Sequence, residues 1–125
     1  MMTLTKDTKK TTVQYKPAEI MGALYGQGIH GLKGAFDRGL IASLAEDIDV
    51  LYKEALQRPG GTVPRGPKRH YVEIHPEDIR GFVDIVTHPW VKAVCETVLG
   101  PEYKIVEIGF DVPNPGAVNQ PWHRD

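Results

Sequence analysis

The 125-residue chain is 41% apolar and 25% charged, the balance of a soluble globular protein, and its length suits one domain of ordinary size. Fifteen lysines and arginines face sixteen aspartates and glutamates, so no field of a single sign draws the chain to nucleic acid or to an anionic membrane. A small-molecule substrate, a polar metabolite or a thioester, is the expected partner. The single cysteine, Cys95, excludes an internal disulfide; the start MMTLTKDTKKTT has no apolar run behind its lysines, and no stretch is long enough to span a bilayer. Together these features predict a cytoplasmic protein.

Residues 1–17, rich in Thr and Lys, offer little apolar area to offset ordering entropy and are expected to form a mobile tail, with one domain over 18–125. A short helix is predicted over 18–25, followed by the glycine-rich GQGIHGLKG of 26–34, which suits an edge strand or turn. A long helix is predicted over 37–57, with Asp37 as N-cap and Leu40, Ile41, Leu44, Ile48, Leu51, Tyr52 and Ala55 on one apolar stripe. RPGGTVPRGP, residues 58–67, ends it as a loop.

Pro76 at a first helical position, Glu77 and Asp78 in the first turn and Ile79, Phe82, Val83 and Val86 on one side predict a helix ending near Thr87. A third long apolar pattern begins at Pro89, is expected to bury Val91, Val94, Cys95, Val98 and Leu99, and stops at Gly100 and Pro101. From Lys104 to Val112 the period changes to two, predicting a strand with Val106, Ile108, Phe110 and Val112 on one face. The loop PNPGAVNQP and then WHRD follow, so the fold class is α+β.

His123 and Asp125 are two residues apart, and on extended backbone both side chains leave the same face while Arg124 leaves the other. One imidazole and one carboxylate in that arrangement make two thirds of the two-histidine, one-carboxylate triad that holds Fe(II) and leaves positions open for oxygen chemistry. Alone the tripeptide says little, since His-x-Asp is expected by chance roughly 0.3 times in a chain of this composition.

Context adds to it. The succession of GIHGLKGAFD, a long amphipathic helix, HPEDIRGFVDIVTHPWVKAVCETVLGPEY, a strand, a Pro/Gly loop and QPWHRD resembles the amino-terminal part of the phytanoyl-CoA dioxygenase family over residues 28–125. The resemblance implies helices packed on the first strands of a double-stranded β-helix of the jelly-roll or cupin kind. It also implies an Fe(II)- and 2-oxoglutarate-dependent dioxygenase that uses O2 to hydroxylate a small-molecule or acyl substrate. By the same resemblance His123 and Asp125 are metal ligands, while a second histidine and the arginine that pairs with 2-oxoglutarate are expected downstream of residue 125. Two donors hold iron less well than three, so the 125 residues alone are expected to be inactive. Lys104 and Glu107 stand where related enzymes place some cosubstrate contacts. Gln120 and Trp122, flanking the ligands, are candidates to line the substrate pocket, although Trp122 reads slightly better as core. The rival from another class is a non-catalytic α+β module, or a degenerate relative of the dioxygenases.

Other signals carry less. Gly26, Gly28 and Gly31 fit G-x-G-x-x-G, but no buried strand precedes them and no helix opens on them, as a dinucleotide site requires. His-Arg-Asp also begins the protein-kinase catalytic loop, without that loop's asparagine or the strand lysine. Cys95, on an apolar helix face, reads as structural; His75 and His88 precede prolines and read as helix caps; Arg65, Lys68, Arg69 and His70 read as a solvated basic loop, with an acidic substrate group such as a thioester's phosphates as the alternative use.

Overall fold

The computed structural model describes residues 14–75, Glu77 and residues 79–124. These form an α+β arrangement of four helices and one small antiparallel sheet: α1 (Pro17–Gln27), α2 (Arg38–Gln57), β1 (Val63–Pro64), β2 (Arg69–Glu73), α3 (Arg80–Val86), α4 (Pro89–Leu99) and β3 (Gly109–Pro113).

Local chemistry sets most helix ends. Pro17 opens α1, where its missing N–H costs nothing, and Gly28 closes it in the left-handed region at φ 77°, with its N–H on the Leu24 carbonyl at 2.9 Å. Asp37 caps α2 as expected, its Oδ2 accepting from the Leu40 N–H at 3.1 Å. His88 caps α4 in the same way, Nδ1 accepting from the Trp90 N–H at 3.1 Å ahead of Pro89. The other expected cap, His75, does not serve α3, whose N-cap is Ile79. That helix starts later than predicted and ends at Thr87 as predicted; Pro76 and Asp78 lie outside the described residues.

The sheet has the order β1-β2-β3, both pairs antiparallel. In register, Arg69 faces Pro113, Tyr71 faces Asp111 and Glu73 faces Gly109, while His70 and Val72 face Val112 and Phe110. Arg69, Tyr71, Glu73 and Asp111 therefore share one polar face, and His70, Val72, Phe110 and Val112 share the other. Val72 is buried with Ile20, Ala55, Ile74 and Phe82, so the core is drawn from α1, α2, the end of β2 and α3. Helix α1 packs on α4, and α3 packs on both α2 and α4.

Four expectations are corrected here. The predicted strand over 104–112 forms only from Gly109 to Pro113: the ladder ends where β2 ends, with a last bond from the Ile74 N–H to the Ile108 carbonyl at 2.9 Å. Among the described residues no strand pairs with 105–108, and Ile105 and Val106 are exposed, Val106 at 95%. On the helices, Val98 and Leu99 of α4 and Ile41 of α2 are exposed rather than buried, and Val91, Val94 and Cys95 of α4 are only half-buried. The basic loop is not one: Arg69 and His70 belong to β2, and Val63–Pro64 within the predicted 58–67 loop pair with it. Of the expected tail, residues 1–13 lie outside the described residues, whereas Tyr15 packs its ring 5.2 Å from that of Trp90.

Candidate functional site

Strand β3 delivers the chain into the 114–124 segment, and that segment is fastened at its start. The Asn114 N–H donates to the Lys68 carbonyl at 2.8 Å, and its Nδ2 donates to the Tyr52 hydroxyl at 3.1 Å. The Ala117 N–H closes a turn on the Asn114 carbonyl at 2.9 Å. Gly116 takes φ 90°, where a side chain is strained, and a Cβ there would stand 2.8 Å from Lys68 Nζ.

Arg69 holds the next point. Its Nη1 donates to Asp111 Oδ2 at 2.5 Å and its Nη2 to the Val118 carbonyl at 3.2 Å. The side chain is only 12% exposed, and Nε is buried without a partner among the described residues. One guanidinium thus spans β2, β3 and the loop. The geometry of a planar fork suits that task, since its donors diverge to two acceptors at once.

At the far end of the segment His123 is exposed, in irregular backbone rather than in a strand. Its Nδ1 lies 2.8 Å from the Pro121 carbonyl. A carbonyl only accepts, so Nδ1 is the donor in that bond. An imidazole is among the ligand types that suit the iron the family resemblance implies. Asp125 lies outside the described residues, and among the described residues no three His, Cys, Asp or Glu side chains gather as a metal-binding group.

The other sequence-predicted residues fall in two places. Glu107 turns toward the polar sheet face, where its Oε1 accepts from the Tyr71 hydroxyl, beside a hollow of about 210 Å³ between Glu73–His75 and residues 105–108. Lys104 is exposed in the segment before β3. Gln120 and Trp122 are exposed as well; Trp122 is fully so, which corrects the reading of its ring as core.

Sequence reasoning missed Arg69, Tyr71 and Asp111. Burial first, then the bond its hydroxyl donates to Glu107 and the charges of Glu107 and Glu73, push the Tyr71 phenol up to about 12, against the opposing pull of Arg65, whose guanidinium carbon lies 4.5 Å from the ring centroid. The signal was present as an alternation: Arg69, Tyr71 and Glu73 interleave with His70, Val72 and Ile74, the period of a strand with one buried face.

Comparison of the chain with protein-family models, with curated proteins and with solved structures finds no match in any of the three.

Proposed function

We propose that this chain is the amino-terminal portion of an Fe(II)- and 2-oxoglutarate-dependent dioxygenase similar to the phytanoyl-CoA dioxygenases, with His123 and Asp125 as two iron ligands. The observation that carries the reading is that His123 stands exposed at the end of a loop fastened to the sheet at its start, with Nδ1 2.8 Å from the Pro121 carbonyl. The order of elements supports it too, with helices first, then an antiparallel strand, then an anchored loop leading to the ligand pair. In this reading the three strands are the beginning of a double-stranded β-helix.

Bound iron would supply the activation of O2, with 2-oxoglutarate as cosubstrate. The chain's own residues bind and position: His123 through Nε2, Asp125 through a carboxylate oxygen, and Glu107 and Lys104 toward the cosubstrate side. Gln120 and Trp122 border the ligands, and an indole standing wholly in solvent is well placed to be covered by a small-molecule or acyl substrate. The second histidine and the arginine for 2-oxoglutarate come from downstream residues.

Anaerobic Fe(II) titration of the full-length protein tests the assignment. His123→Ala and Asp125→Ala are each expected to weaken binding at least about 10- to 100-fold and to abolish succinate formation from 2-oxoglutarate. Equal iron uptake by the variants and the parent rejects the ligands.

A further inference from the structure

We infer that Arg69 is a positioning residue for the candidate site: it holds the loop that follows β3 against the sheet and so sets where the backbone presents His123. The inference deepens the dioxygenase reading and rests on it for the identity of the ligand.

The argument begins with what the loop lacks. Residues 114–124 contain no helix or strand, and their outer part, from Val118 to Arg124, is exposed throughout. Such a segment has no packing of its own to fix a ligand, and ligand geometry tolerates little looseness. Its order therefore depends on the few bonds that tie it down.

Three of those ties converge on one corner of the β1–β2 hairpin. Lys68 stands there in the left-handed region at φ 58°, unusual for a residue with a side chain, and its carbonyl takes the Asn114 N–H. Its flexible side chain lies over Gly116, which takes φ 90°. The next residue, Arg69, reaches past Asp111 to the Val118 carbonyl, the furthest along the loop of these three ties. Asp111 holds the fork in plane, so the bond to Val118 is made by a group already fixed and partly desolvated, where a charge-assisted bond is strongest.

The basic side chain is thus used inward, as a clamp, and not as a binding patch for an anion. Being only 12% exposed and occupied by Asp111 and Val118, it offers little to a ligand in solution.

The test uses the full-length protein and Arg69→Met, which keeps the length of the side chain and removes the fork. Amide hydrogen exchange at Asn114 and Ala117 is expected to quicken roughly tenfold or more, while amides of α2 and α4 keep their parent rates. The His123 ring nitrogen resonances are expected to move toward those of an imidazole without a fixed tautomer. Fe(II) added alone is expected to bind roughly 10- to 100-fold more weakly, the range seen when a group supporting a ligand is lost. Arg69→Lys, with the charge but not the fork, should restore little of this. Gly116→Ala, which leaves the sheet untouched and strains the loop backbone at φ 90°, should act in the same direction and serves if Arg69→Met does not fold. Unchanged loop exchange and unchanged ring resonances in both variants overturn the inference, as does loosened exchange with parental Fe(II) affinity. If the parent itself binds no Fe(II), the dioxygenase reading falls, and the exchange and ring signals still decide whether Arg69 positions His123.

Discussion

Arg69 and Asp111, 42 residues apart in the chain, meet at 2.5 Å across the diagonal of the β2–β3 ladder, with side-chain exposures of 12% and 29%. A pair so placed differs from a solvated surface pair. Most of the water that would screen it is gone, and removing one member strands the other in a poor solvent.

Asp111→Ala is accordingly expected to destabilise the fold by about 2 kcal/mol, more than the loss from an exposed pair, because the Arg69 guanidinium is left buried with an additional unmet donor. The midpoint of urea unfolding reads this directly. A shift worth less than about 0.5 kcal/mol would put the pair in the class of surface ion pairs.

Tyr71 gives the protein an alkaline signature. Its phenol ionises at about 12 in the fold and near 10 in the unfolded chain, so the unfolded state loses its proton first as pH rises. The contribution of this group is complete below pH 10 and is lost between about pH 10 and 12. Phenolate absorbance, taken as the difference between the parent and Tyr71→Phe, should show the late titration. Glu107→Gln should move it part of the way down, since burial, the largest cause, remains. A midpoint near 10 for Tyr71 in the parent protein would contradict the packing seen on this face.

Gly61 is needed for space and not for its backbone angle. A Cβ there would stand 2.8 Å from the carbonyl carbon of Ala55 and 2.9 Å from its Cα, and both are backbone atoms that cannot swing aside. Gly61→Ala is expected to cost about 1–3 kcal/mol, the range for forced overpacking, by displacing the turn after α2. Thermal unfolding of the variant checks it; a parental melting temperature would show that the turn shifts freely.

The comparison of sequence with structure divides by the range of the interactions concerned. Asp37 capping Leu40, Pro89 opening α4 and Gly100 ending it were legible because each acts within four residues of itself. Strand β2 was easily overlooked, because RHYVE is short and rich in charged and polar residues and most of its ladder is made with partners 36 to 44 positions on. The 104–108 stretch failed in the opposite way: its alternation of apolar residues is a good strand pattern with no strand to join. At the candidate site the pattern His-x-Asp was visible at once, whereas Arg69 as the clamp on the preceding loop was not, since nothing in its neighbourhood names Val118 as its acceptor.

By itself the amino-acid sequence determined that the four helices form, the N-caps of α2 and α4, and the α+β class, because helix hydrogen bonds and capping close within one turn. Tertiary structure alone decided which residues pair as strands, which apolar side chains stay in solvent, and how the loop before His123 is held. Those outcomes depend on groups that meet only after the chain has doubled back, and a row of residues carries no record of that meeting.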